Sequence, residues 1–133
     1  MIALDTNILV RYIVQDDETQ ARAAARLIEN SCSTDEPGVI SLIVLCELVW
    51  VLDRGYGYGR GIIAGVLRQI MAANDLSVER SELAWRALHF YEKGKADFAD
   101  YLIGLIHREE GAEVTYTFDR RTLDCELFRI PGK

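Results

Sequence analysis

Residues 2–14, IALDTNILVRYIV, contain the pattern that decides the fold. The run begins with apolar residues and reaches Asp5, which is typical of a short buried strand. The apolar residues that follow recur at helical spacing up to Val14, and they are Ile8, Leu9, Tyr12 and Ile13. Asp5 is therefore expected at the carboxyl end of a strand and at the start of a helix.

Short apolar runs and longer helical patterns continue to alternate along the chain. Strands are predicted at residues 39–40, 114–118 and 127–130, with a connector or strand at 76–78. Helices are predicted at residues 16–30, 42–54, 61–73, 82–91 and 99–110. This order implies an α/β sandwich with a mainly parallel sheet, in a single domain of residues 1–133. Because ligands bind beyond the carboxyl ends of such strands, Asp5 and Asp119 are expected at one edge.

The net charge of −6 leaves two interpretations open. A nucleic-acid-binding protein usually carries the opposite sign, since contacts with phosphates supply much of its affinity. Either the chain is an acidic protein that never meets nucleic acid, or part of the charge is a cluster of acids that binds metal cations.

Targeting and cross-linking signals are missing from the sequence. The opening residues lack the basic region of a signal peptide, and the most apolar run, 39–52, is too short to span a bilayer. The three cysteines are widely spaced and predict neither a disulfide framework nor a zinc site. A cytoplasmic protein without a membrane segment is therefore expected.

Glu47 is the most informative acid, because it stands within the apolar stretch LIVLCELVWVL at residues 42–52. An uncompensated buried carboxylate is costly or has a raised pKa. Either Glu47 lies on the one wet stripe of its helix, beside Val44, Val51 and Arg54, or it faces a polar pocket and meets a cation.

Three further acids stand at the polar ends of apolar elements. Asp97 and Asp100 are three residues apart, so they share a helix face or mark its first turn. Asp97 is also a good N-cap residue, and Asp119 could instead cap the turn that follows it. Acids pressed together repel unless a cation neutralises them, and all-oxygen ligation suits Mg²⁺ or Mn²⁺.

Four short motifs resemble the PIN-domain family, and specifically its VapC-like toxins. They are LDTNIL at residues 4–9, SLIVLCE at 41–47, DFADYLI at 97–103 and TFD at 117–119. Each motif is short, but their order and spacing together cover essentially the whole chain. The resemblance implies a three-layer α/β/α fold.

The resemblance also implies a catalytic site that needs Mg²⁺ or Mn²⁺ and cleaves RNA phosphodiesters with metal-activated water. The acidic quartet that binds metal would be Asp5, Glu47, Asp100 and Asp119. Asp97 matches an acid often found beside the third ligand. Thr6 and Asn7 match positions that orient the first aspartate and line the site.

The family setting implies an endoribonuclease toxin of a type II toxin–antitoxin system, blocked by a VapB-like antitoxin. Dimers are common in the family, and the apolar 42–52 helix and the 61–73 helix predict a homodimer face. Basic residues expected to meet RNA phosphates are Arg11, Arg54, Lys93, Lys95 and Arg120.

Three alternatives remain beside the ribonuclease. A haloacid-dehalogenase-type phosphohydrolase requires a second acid two residues after Asp5, where this chain has Asn7. A flap-type DNA nuclease usually has more acids and extra DNA-binding elements. A non-catalytic PIN-like module that binds RNA or protein would keep the fold, and only a cleavage assay separates it from the enzyme.

Overall fold

A computed structural model describes residues 1–132 of the chain. The chain forms two compact units, Met1–Ser81 and Glu82–Lys133. Compact units of this size also occur within one domain, so the single domain over residues 1–133 stays a prediction.

The first unit contains four α-helices and two short strands. In chain order they are α1 (Thr6–Val14), α2 (Glu18–Ser31), β1 (Gly38–Ile40), α3 (Leu42–Trp50), α4 (Arg60–Ala72) and β2 (Leu76–Val78). β1 and β2 pair in parallel, with Gly38 opposite Leu76. The predicted α/β alternation is confirmed here, and residues 76–78 form a strand rather than a connector.

The opening strand is reduced to a single parallel bridge between Ala3 and Val39. Two hydrogen bonds flank it: Leu4 N–H donates to the Val39 carbonyl at 2.9 Å, and Val39 N–H donates to the Ile2 carbonyl at 2.8 Å. The prediction of a buried strand is wrong in its extent, yet these bonds still place Asp5 directly after an extended segment beside β1.

α3 ends earlier than predicted, because the next residues, Val51–Gly55, form a π-helical turn. Its start is as expected, since the Ser41 hydroxyl accepts a hydrogen bond from Val44 N–H at 3.2 Å. Glycine has a low helix propensity, so the GYGYG run at residues 55–59 disfavours continuation of the α-helix.

The second unit contains α5 (Ser81–Lys93), α6 (Phe98–Glu109), β3 (Thr115–Tyr116), a 3-10 turn (Arg120–Asp124) and β4 (Phe128–Arg129). β3 and β4 are parallel, with Thr115 opposite Phe128. The strand predicted at residues 114–118 is therefore too long, and Phe118 is largely exposed. Within the described residues β3 pairs with β4 alone, and this pairing covers two residues of each strand.

Each unit has its own apolar core. In the first, the fully buried side chains include Leu9, Ile40, Leu45, Leu48, Leu52, Ile63 and Leu67. In the second they include Leu83, Leu88, Phe98, Tyr101 and Leu105. α6 lies close against β4 at Gly104, where a Cβ atom would come within 3.0 Å of the Phe128 ring.

The helices of the described residues are all too short or too polar to cross a membrane.

Candidate active site

Asp5 occupies the N-cap position of α1 in an extended conformation, and it is exposed. Among the described residues, no helix N–H group donates a hydrogen bond to its side chain. As an N-cap residue, Asp5 therefore lacks the hydrogen bond that makes such a residue stabilising. Its carboxylate is left available to a ligand.

Glu47 receives a hydrogen bond from the neighbouring helix. The hydroxyl of Thr6, a buried residue in the first turn of α1, donates to Glu47 Oε1 at 2.7 Å. The resemblance assigned Thr6 to orienting the first aspartate, whereas the structure places its hydroxyl on Glu47. This bond joins residues 41 positions apart and holds one carboxylate oxygen in place.

Glu47 lies on an exposed stripe of its helix. Leu45, Leu48 and Leu52 face the core and are fully buried. Helical spacing then turns Ile43 and Glu47 outward, and both are exposed. The wet-stripe interpretation is the one observed, although the Thr6 hydroxyl gives it a specific partner.

Asp97 and Asp100 stand at the start of α6. Asp97 is the N-cap residue, and its backbone N–H donates to Asp100 Oδ2 at 3.1 Å. Burial raises the pKa of Asp100, and the negative charges of Asp97 and Asp119 raise it further. The hydrogen bond from Asp97 and the charge of Arg121 oppose that rise. A nearby cation stabilises the ionised form of such a carboxylate.

Asp119 is held by a residue that sequence reasoning missed. The Arg121 guanidinium donates to both carboxylate oxygens, with Nη2 at 2.7 Å from Oδ2 and Nε at 3.1 Å from Oδ1. This contact lowers the pKa of Asp119. The same Nη2 lies 4.0 Å from Asp100 Oδ2. The two-residue spacing of Asp119 and Arg121, at a turn after a strand, was the available signal.

Asn7 lines a cavity of about 470 Å³ between α1 and α2, together with Ile8, Arg11, Gln20 and Leu27. Arg11 is already engaged there, since its Nη1 lies 2.9 Å from Asp16 Oδ1. Of the other basic candidates, Arg54 lies over the Trp50 ring at 6.0 Å. These contacts make Arg11 and Arg54 less available to a phosphate than the sequence suggested.

The donor chemistry of these residues fits a hard divalent cation, because all four predicted ligands offer carboxylate oxygens. Within either unit, the described residues contain no group of three or more His, Cys, Asp or Glu side chains arranged to hold a metal ion. A cation, the Arg121 guanidinium, does lie against Asp119 and near Asp100. That part of the chain therefore attracts positive charge.

Comparison with known proteins now decides the family. The PIN domain model matches residues 2–125, a span that runs through both units. The chain belongs to the PIN-domain family. It is also similar to a VapC ribonuclease of Aquifex aeolicus (strain VF5), with 26% identity over 121 residues. That match covers 91% of this chain and 89% of the relative. No solved structure matches the chain significantly.

The family resemblance drawn from the four motifs is thus confirmed, and so is the coarse α/β class of this PIN domain.

Proposed function

We propose that this PIN-domain protein is a metal-dependent endoribonuclease and the toxin of a toxin–antitoxin pair. The observation that carries the proposal is its similarity to a VapC ribonuclease over nine-tenths of both chains. The acids at Asp5 and Glu47 support it, since neither is used to cap a helix or to pair with a cation in the described residues.

The proposed metal ligands are Asp5, Glu47, Asp100 and Asp119, with Asp97 beside them and Asn7 lining the site. Bound Mg²⁺ or Mn²⁺ would activate water and neutralise the charge that develops on the scissile phosphate. The chain's own contribution is to hold the carboxylates: Thr6 fixes one oxygen of Glu47, and Asp97 N–H fixes one oxygen of Asp100. The other oxygens of these two side chains remain for a ligand.

The finer features of the family are proposed with the same activity: a three-layer sandwich in one domain, an RNA substrate, a VapB-like antitoxin and a cytoplasmic location. A homodimer is proposed through the first unit. Ile43 and Trp50 on α3 and Ile62 on α4 are large apolar side chains that remain exposed. Light scattering of the purified protein at high concentration checks this, and a strict monomer would contradict it.

The deciding experiment measures cleavage of a mixed-sequence RNA by the purified protein in Mn²⁺, in Mg²⁺ and in EDTA. Cleavage that requires the metal supports the enzyme. Stable RNA in all three conditions, together with retained RNA binding, would favour the non-catalytic module. The same assay is run on Asp5→Asn, which removes one proposed metal ligand. Asp17→Asn is its matched control, because Asp17 is the N-cap residue of α2 and asparagine keeps that role.

A further inference from the structure

A close ion pair in the second unit lies on a proposed metal ligand. Arg121 Nη2 lies 2.7 Å from Asp119 Oδ2, and Nε lies 3.1 Å from Oδ1 and 3.2 Å from Oδ2. The Arg121 backbone N–H also donates to Asp119 Oδ1 at 2.9 Å. Both oxygens of this carboxylate are therefore occupied by one residue.

The same guanidinium reaches a second proposed ligand, since Nη2 lies 4.0 Å from Asp100 Oδ2. Positive charge thus stands between two carboxylates that otherwise repel each other, as a divalent cation would. None of the four motifs named from the sequence includes Arg121, because the TFD segment ends at residue 119.

A guanidinium and a metal ion compete for the same carboxylate lone pairs, so each weakens the binding of the other. The Arg121 side chain is about half exposed, at 55%, and exposed ion pairs are weak and readily exchanged. A doubly charged cation can therefore displace it. The displaced guanidinium is planar and always charged, with paired donors that match the oxygens of a phosphate.

We propose that Arg121 is an internal counter-ion that holds Asp119 and Asp100 in the metal-free protein, yields them to the divalent cation and then binds a phosphate of the RNA. The inference rests on the proposed function. It assigns to Arg121 two states that exclude each other, one on the carboxylates and one on the substrate.

The first measurement is calorimetric titration of MnCl₂ into the purified full chain without RNA. Arg121→Gln removes the guanidinium and keeps the backbone N–H that donates to Asp119 Oδ1. It is expected to bind Mn²⁺ about fivefold more tightly than wild type, the scale of losing one exposed ion pair as a competitor. Arg121→Lys retains the charge without the paired donors and is expected in between. Arg26→Gln, at an exposed position of α2 that has no proposed role, is the control and should match wild type.

The second measurement is RNA cleavage at saturating Mn²⁺. Arg121→Gln is expected to cleave about tenfold more slowly than wild type although it binds the metal more tightly, because a phosphate contact is lost. Tighter metal binding with slower cleavage is a signature that a merely structural arginine would not produce.

The outcomes separate this inference from the function on which it rests. If wild type binds Mn²⁺ and Arg121→Gln binds it equally or more weakly, the counter-ion role is wrong while the metal-dependent enzyme stands. If Arg121→Gln binds Mn²⁺ more tightly but cleaves as fast as wild type, the phosphate contact is wrong. If neither protein binds Mn²⁺, the proposed metal site fails and the inference fails with it.

Discussion

The acids of the first unit and those of the second are stabilised in different ways. Asp5 has no capping role for its side chain, and Glu47 has one neutral hydroxyl donor, that of Thr6. Asp119 is bound by the Arg121 guanidinium, which also lies near Asp100. The candidate acids of the second unit thus lie beside a guanidinium, whereas within residues 1–132 those of the first unit have no cationic partner.

This difference predicts which acids can be neutralised without cost to the fold. Replacing an acid that has no partner removes charge and nothing else. Replacing an acid that has an ionic partner removes a favourable contact and leaves the partner unpaired. For each carboxylate, the comparison therefore predicts whether its replacement raises or lowers the stability of the fold.

The largest expected effect is that of Asp5→Asn on the rate of RNA cleavage. Loss of a residue that only orients a metal ligand already costs about 10- to 100-fold, so loss of a ligand is expected to cost at least about 100-fold in cleavage rate. The stability of the metal-free protein should be unchanged or higher, since one unpaired negative charge is removed. Thermal melts in EDTA and cleavage assays in Mn²⁺ measure the two quantities.

Asp17→Asn should leave cleavage at the wild-type rate. An Asp5→Asn protein that melts well below wild type in EDTA and still cleaves RNA would mean that Asp5 is structural after all.

Thr6→Val tests the hydrogen bond that the Thr6 hydroxyl donates to Glu47 in the first unit. The change keeps the shape of a buried side chain but removes the hydroxyl that holds Glu47 Oε1. We expect cleavage to fall about tenfold through loss of this orientation. Thr19→Val on the exposed side of α2 is the control, with no change in rate expected. Equal rates for Thr6→Val and wild type would remove Thr6 from the site.

Alanine substitution at the two N-cap aspartates of the first unit, Asp5 and Asp17, is expected to reveal a difference in stability of about 1 kcal/mol. Asp17 accepts a hydrogen bond from Gln20 N–H at 3.0 Å, so Asp17→Ala is expected to lower the free energy of unfolding by about 0.5–2 kcal/mol. Asp5→Ala should cost less, because its side chain caps nothing in the described residues. Urea unfolding of both variants in EDTA measures the difference, and equal losses would contradict it.

The smallest expected effects concern pH and the paired acids of the second unit. Arg121 lowers the pKa of Asp119 below 3.8, so this group stabilises the fold above that pH and loses the effect as pH falls through its folded pKa. Burial raises the pKa of Asp100, so the ionised group opposes folding once pH rises through its folded pKa.

Asp119→Asn should therefore lower the melting temperature more at about pH 7 than at about pH 3, whereas Asp100→Asn should raise it at about pH 7. Both melts belong in EDTA. Shifts of the same sign for the two variants at neutral pH would contradict the assignment of Arg121 mainly to Asp119.

Local patterns were enough to predict most of the helices and the motifs of the site. Helical spacing placed α1 at residues 6–14 and put Asp5 just before it, as observed. Ser41 was recognised as the cap of α3 from residue type alone, and Val44 N–H confirms it. These features depend on neighbours within a few residues, which a sequence displays directly.

Strand lengths and the exposure of Glu47 were harder to predict from the sequence. A strand extends only as far as its partner provides hydrogen bonds, and β3 finds its partner residues more than ten positions away in β4. Glu47 looked buried because its neighbours in sequence are apolar, but only packing shows which face of α3 meets the core.

By itself, the sequence determined the family, the succession of helices and strands and the identity of the candidate acids, because these follow from residue type, order and spacing. Tertiary structure alone decided which donor each acid receives. Thr6 reaches Glu47 across 41 residues, and Arg121 lies on Asp119 while approaching Asp100. Hydrogen bonds and ion pairs act over only a few ångströms, so the partner of a carboxylate is known once folding has placed the donors around it.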